Sequence, residues 1–242
     1  IFVGVTRAVQ NFAAYGKRDY GRPERDSWRG MVPPKLAQIM INLADISVKD
    51  AVLDPFCGLG TILQEAGVMG YKRLVGTDGD QEVITQAGNN IAWINQRFPD
   101  IRVQLEVVKV QQLIQHFGPE SFQAIITEPY LGPARELQRP ISPGRLRQIM
   151  SELSALYLDA FRQFFPLLDD LGSIVMVWPI FRVSGQEQIL PLLYPVTQLG
   201  FKLQKPRVAA LPLATKLSSR GTLIYQRPDQ NVAREITVWT KT

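Results

Sequence analysis

Ala51-Val52-Leu53-Asp54-Pro55-Phe56-Cys57-Gly58-Leu59-Gly60-Thr61 is the stretch that decides how this chain folds. Three apolar residues and an acid make a short strand, a turn with two glycines follows, and residues 61–69 read as a helix. Strand, glycine turn and helix together form the opening unit of an open parallel sheet. The alternation continues downstream. Residues 73–77 predict a second strand and 81–97 a helix. Residues 102–107 have strand character, and 122–127 predict a fourth strand, nearly all apolar at its end. A long helix over 144–165, stopped by Pro166, leads to a fifth strand at 172–178. The tail changes character: 201–205, 221–225 and 233–239 are strand-like and 227–231 is a turn. That ending predicts an antiparallel hairpin on the edge of the sheet.

Upstream, Pro33-Pro34 opens a helix over 35–44 whose Leu36, Ile39, Met40 and Leu43 share one face. Residues 6–30 read as polar and irregular. The expected organisation is therefore a connector over 1–30 and a catalytic domain over 31–242. Ile1-Phe2-Val3-Gly4-Val5 reads as a strand entered midway without an initiator Met, so the chain is expected to be the carboxy-terminal part of a longer protein.

At 242 residues the chain can form one large α/β domain, and 45% hydrophobic with 20% charged residues is an ordinary globular balance. A net charge of +5 favours a polyanionic partner modestly and equally suits a slightly basic protein with none. Cys57 is the only cysteine and His116 the only histidine, which excludes a disulfide framework, a Cys/His zinc site and most His-based triads. No metal is expected. His116 reads as a helix-ending surface residue. The sequence has no apolar run of the ~18 residues a membrane span needs and does not open on a signal-peptide pattern, so a cytoplasmic setting without membrane contact is expected.

The glycine turn lacks the Gly-Lys-Ser/Thr of a phosphate loop and the third glycine of the dinucleotide fingerprint. Asp78 ends the next strand, where a carboxylate can accept both hydroxyls of a ribose. Gly58 and Gly60 let backbone approach a ligand, and Asp54 can hold an amino group by a charge-assisted bond. The same residues also read as a helix cap and a tight turn. Cys57 reads as a small buried residue.

Thr127-Glu128-Pro129-Tyr130 leaves the fourth strand. An exocyclic base amine is a poor nucleophile, because its lone pair is drawn into the ring. Acceptors aimed at its protons raise its electron density and hold it in line. Here Thr127, Glu128 and the Pro129 carbonyl are candidate acceptors, and Tyr130 is the residue to stack on the base. A glycine turn and a Pro-Tyr turn together point to methyl transfer onto a base amine.

On these residues the chain resembles the catalytic domain of class I S-adenosylmethionine-dependent methyltransferases. More narrowly, it resembles the THUMP-associated tRNA guanine-N2 methyltransferases and their bacterial relatives. The likeness is carried by residues 54–61, by Thr127-Glu128-Pro129-Tyr130-Leu131-Gly132-Pro133, and by Gly30-Met31-Val32-Pro33-Pro34-Lys35-Leu36-Ala37. It implies a Rossmann-like, seven-stranded, mostly parallel sheet with a reversed last strand and helices on both faces. It implies S-adenosyl-L-methionine as cofactor, held by Pro34, Asp54, Phe56, Gly58, Gly60, Thr61 and Asp78, with Thr127–Tyr130 around the amine. An amino-terminal THUMP region is implied upstream, and some relatives use an activating subunit. Two positions depart from the family pattern. Thr127 and Glu128 stand where an acid or amide and a proline are usual, and Lys109-Val110 stands where Asp-Ala meets the adenine. Adenine recognition is therefore assigned to backbone groups or to Gln111.

Arg135, Arg139 and Arg145 lie in the loop after the amine turn, suited to phosphates around an extruded nucleotide and equally to a solvated loop. The connector arginines are interleaved with acids. The expected function is methylation of a guanine amine in tRNA. The alternatives are a DNA adenine-N6 or cytosine-N4 methyltransferase and a catalytically silent nucleic-acid-binding module of the same fold.

Overall fold

The computed structural model describes residues 4–7, 9–26, 31–139, 141–183, 186–205, 216–226 and 232–242. In chain order these form α1 (Phe12–Tyr20), α2 (Pro34–Leu43), β1 (Ala51–Asp54), α3 (Thr61–Val68), β2 (Arg73–Asp78) and α4 (Gln81–Asn95). Next come β3 (Val103–Val107), α5 (Leu113–Phe117), β4 (Phe122–Thr127), α6 (Ala134–Leu137), α7 (Pro143–Leu167) and β5 (Leu168–Val183). The chain closes with β6 (Gln186–Ile189), α8 (Leu193–Gln198), β7 (Phe201–Gln204), β8 (Leu223–Tyr225) and β9 (Val232–Lys241).

The strands join one sheet in the order β3-β2-β1-β4-β5-β9-β7, with β6 added to β5 and β8 to β9. Strands β1 to β5 run parallel, and β9 is reversed between β5 and β7. This is the mostly parallel Rossmann-like sheet with antiparallel carboxy-terminal strands. The expected tail hairpin forms, but β7 is its edge member and β9 lies inside the sheet. That placement is why β9 reads Ala233, Ile236 and Trp239 into the core.

Strand side chains alternate between two apolar layers, as a pleat requires. Leu53, Ile125, Ile174, Met176 and Trp178 face the layer under α7, whose Ile149, Leu153, Tyr157, Ala160, Phe161 and Phe164 recur at helical spacing. Phe161 meets Trp178, Phe201 and Trp239 edge-on, so α7 locks the reversed strand to the sheet. Val52, Ile126, Val175 and Val177 face the opposite layer, formed by Leu36, Met40 and Ile41 of α2 with Ile62 and Leu63 of α3. Each fully buried side chain of this size contributes roughly 1.5–3 kcal/mol.

Two segments depart from the sequence reading. Pro166 does not stop α7; it sits in the last turn, and the helix ends at Leu167. The connector is not irregular, because α1 forms inside it, capped by the Asn11 side chain. A buried ion pair holds it: Arg18 donates to both carboxylate oxygens of Glu65 on α3, at 2.6 and 3.1 Å. Gln38 of α2 donates to the same carboxylate. Arg18 and Arg22 of this segment are buried, while many of its other described residues are exposed. The expected strand at residues 1–5 and Arg29 lie largely or wholly outside the described residues.

Candidate active site

Parallel strands β1, β2 and β4 end on one edge of the sheet, where the loops that follow them form a pocket of about 670 Å³. The first loop is shaped by Gly58 and Gly60, both left-handed (φ +50° and +79°), a conformation that L side chains rarely adopt. A Cβ on Gly58 would meet nothing within 4 Å, which leaves its backbone face open. Cys57 N–H donates to the Thr77 carbonyl at 2.9 Å, tying the loop to β2. The Leu59 carbonyl accepts from the Gln64 and Asn90 side chains, which fixes its far side.

Asp54, Asp78 and Asp80 border the pocket from this side. Asp54 is 1% exposed and accepts from the Thr127 hydroxyl at 2.7 Å. Burial pushes its pKa up to about 7, against the Thr127 and Phe56 hydrogen bonds that pull it down. Asp78 accepts from Gly58 N–H and Asp80 N–H, at 3.3 and 3.1 Å. Burial raises its pKa too. The Cys57 thiol is buried and its pKa lies well above the ordinary value, mainly through desolvation, so it is no nucleophile.

The second loop leaves β4. Its first residue turns inward: Thr127 is fully buried, and its hydroxyl proton is committed to Asp54. As an amine acceptor Thr127 is therefore misplaced; it supports Asp54. Glu128 borders the pocket and pairs at two points with Arg234 of β9, at 2.5 and 3.0 Å. Arg234 reaches this edge because β9 is reversed, so its beginning lies beside the carboxyl ends of the parallel strands. Pro129 also borders the pocket. Tyr130 presents a ring that is 57% exposed, while its carbonyl accepts from the buried Tyr157 hydroxyl at 2.8 Å.

The segment following α1 closes the other wall. Arg22 is buried and donates to the Thr61 hydroxyl at 2.5 Å and towards the Met31 sulfur. Met31, Val32, Phe56 and Thr61 border the cavity. Arg22 looks like a solvated connector charge in the sequence, yet it braces the first residue of α3.

Four groups of expected site residues are arranged differently from the sequence reading. Gly60 forms the N-cap of α3 behind the pocket wall, and Pro34 is buried at the start of α2. Gln111 sits in a 3-10 turn with its side chain exposed, away from the cavity, because that turn points it outward after β3. Arg135, Arg139 and Arg145 line a separate surface hollow beside α6. There Arg145 makes a two-point pair with Glu136, at 2.8 and 3.0 Å. His116 ends α5 at the surface against Glu106, at 2.5 Å. Among the described residues, no group of three or more His, Cys, Asp or Glu is placed to hold a metal ion.

Residues 24–141, which include both loops, match the family UPF0020, described as RMKL-like, methyltransferase domain. The chain is similar to a tRNA (guanine(10)-N2)-dimethyltransferase of Methanocaldococcus jannaschii, 35% identical over 130 residues, which cover 51% of this chain and 37% of that protein. It is also 30% identical over 120 residues to a probable tRNA (guanine(10)-N2)-dimethyltransferase of Methanothermococcus thermolithotrophicus, covering 49% of this chain and 70% of that protein. The chain belongs to the tRNA guanine-N2 methyltransferase-like family. For the first of these relatives, the matched stretch is well under half of its length. Among solved structures, TrmN from Thermus thermophilus shares the family's fold, with a TM-score of 0.59 at 20% identity over 88% of this chain and 50% of that one.

Proposed function

We propose that this chain is the catalytic part of an S-adenosyl-L-methionine-dependent methyltransferase acting on the exocyclic amine of guanine in tRNA. One observation carries the reading: a single cavity joins the buried Asp54 and the half-buried Asp78 to the exposed Tyr130. The relatives' printed activities and the net charge of +5 support the substrate class.

The residues fit the cofactor. Asp54, held near neutrality by burial, is stabilised as a carboxylate by a cationic amino group. Asp78 offers acceptor sites for ribose hydroxyls beyond those used by its backbone donors. The Gly58 backbone, with open space above it, admits a ligand closely. When bound, S-adenosyl-L-methionine supplies an electrophilic methyl group.

The chain's own residues do the rest by positioning. Tyr130 stacks on an extruded base, and the Pro129 carbonyl and Glu128 carboxylate accept from its amine. Thr127 and Arg22 act one layer back, on Asp54 and Thr61. Arg135, Arg139 and Arg145 contact phosphates beside the entrance. In this reading residues 31–242 are the catalytic domain, and 1–30 lead from an upstream RNA-binding region while strapping α1 onto α3. Among the described residues no helix is long and apolar enough to cross a membrane, and a cytoplasmic site of action fits a tRNA substrate.

The test is to incubate the full chain with labelled S-adenosylmethionine and bulk tRNA or bulk DNA. Label in guanosine of digested tRNA is expected. Label confined to DNA adenine overturns the substrate, and calorimetry without cofactor binding overturns the enzyme.

A further inference from the structure

We infer that Arg22, which follows α1, supplies the positive charge that receives the carboxylate end of the cofactor, acting through the Thr61 hydroxyl at the start of α3. The inference rests on the methyltransferase reading above, and it makes the segment before residue 31 part of the cofactor site. Arg22 is 3% exposed and lies outside the matched family stretch, residues 24–141. Its Nη1 donates to the Thr61 hydroxyl, its Nη2 meets the Met31 sulfur, and its Nε–H has no partner. Among the described residues no carboxylate is bonded to it, since nearby Glu65 is taken at two points by Arg18 and again by Gln38. Burial pulls its pKa down, against the partial support of the Asp19 and Glu65 charges. A buried cation without a bonded anion is costly.

The surroundings ask for that anion. Helix α3 starts from Gly60 without a side-chain cap, so its first-turn N–H groups suit a negative ligand. The Thr61 hydroxyl accepts from Arg22, which leaves its own proton to donate, and Thr61 borders the cavity. Arg22 adds a full charge to the positive end of the helix, an arrangement that is unfavourable until an anion joins it. On the same loop Asp54 is assigned the cofactor's ammonium, and in an α-amino acid the carboxylate is attached to the same carbon. Asp54 and Thr61, at the two ends of the 54–61 loop, would thus grip one zwitterion. A phosphate of an RNA chain is also an anion, but a guanidinium this deeply buried behind Thr61 suits a small ligand inside the cavity. Thr61 touches the cofactor. Arg22, 39 residues away in sequence, is a positioning residue that acts through it.

The experiment titrates the full chain, by calorimetry, with S-adenosylmethionine and with decarboxylated S-adenosylmethionine, which keeps the ammonium and the sulfonium but lacks the carboxylate. The wild type is expected to prefer the first by at least about tenfold, the order of one charge-assisted hydrogen bond. Arg22→Gln should bring the ratio to within roughly threefold, by weakening S-adenosylmethionine while the decarboxylated compound stays within about twofold of its wild-type affinity. Arg22→Lys, which keeps the charge, should give an intermediate ratio. Should Arg22→Gln fail to fold, Thr61→Val removes the hydroxyl at nearly constant shape and should lower the ratio in the same direction. Equal weakening of both compounds marks a structural brace and overturns the inference, as does an unchanged ratio. A loss of tRNA affinity in cofactor-free Arg22→Gln with the ratio unchanged would assign the charge to a phosphate, again overturning it, and each of these results leaves methyl transfer standing. Failure of the wild type to bind either compound removes the functional reading and this inference with it.

Discussion

The loop after β1 and the loop after β4 border one cavity but are built in opposite ways. The first is closed: its acid is buried, its glycines are left-handed, and its backbone is tied to β2 through Thr77 and Asp78. The second is anchored by Thr127 to Asp54, by Glu128 to Arg234 and by Tyr157 to the Tyr130 carbonyl, and it offers an open aromatic ring. A small ligand engulfed on one side needs a preformed wall, and a large polymer approaching from the other needs an exposed platform. On the proposed reading the difference separates cofactor binding from methyl transfer.

Changes in the two loops should therefore have separable effects. On the proposed reading Asp78 accepts from ribose hydroxyls, so Asp78→Ala should lower cofactor affinity roughly a hundredfold, since hydrogen bonds to charged groups are worth about 1.5–3 kcal/mol each. Titration calorimetry checks this.

The next effect is on pH dependence. Asp54 has a folded pKa raised from 3.8 to about 7, so the folded chain holds this proton more tightly than the unfolded one. Its contribution to stability is present below pH ~4 and is lost as pH rises to about 7, on the order of 4 kcal/mol in the ligand-free protein. If the Asp54 carboxylate holds the cofactor's amino group, as proposed, affinity should gain up to about tenfold per pH unit between pH 5 and 7. Asp54→Asn should flatten both profiles, read by thermal unfolding and by titration across that range.

In the open loop, Tyr130→Ala should lower turnover roughly thirtyfold, in line with the ~1–3 kcal/mol of base stacking, with cofactor affinity nearly unchanged. Steady-state kinetics on tRNA reads this. Thr127→Val links the two loops and should have the smallest effect, about 1–2 kcal/mol of stability with a few-fold loss of cofactor affinity. Chemical denaturation measures the former.

Much of the sheet was legible because its strands are local apolar runs: β4 spans the predicted residues, and α3 and α4 agree to within two residues at each end. Helix α1 was not, because it buries Arg18 rather than an apolar stripe, and a buried charge pair reads as a solvated segment. Strand β5 runs to 16 residues, beyond the expected 172–178, and was read short because Asp169, Asp170 and Gly172 at its start and Pro179 inside it look like punctuation. Within the site, both loops could be read from their own residues. Arg234 could not, since its partner is distant in sequence and only the reversal of β9 brings them together. The available signal was the adjacent charges Arg234 and Glu235 inside an otherwise core-forming strand, both buried. Gln111, named with backbone groups from the resemblance, lies outside the cavity in a local 3-10 turn.

The division of labour between the loops is tested most directly by titrating S-adenosylmethionine into Tyr130→Ala alongside Asp78→Ala. The account predicts affinity within about twofold of wild type for the first and at least tenfold weaker for the second. Equal loss of cofactor affinity in both variants would contradict it.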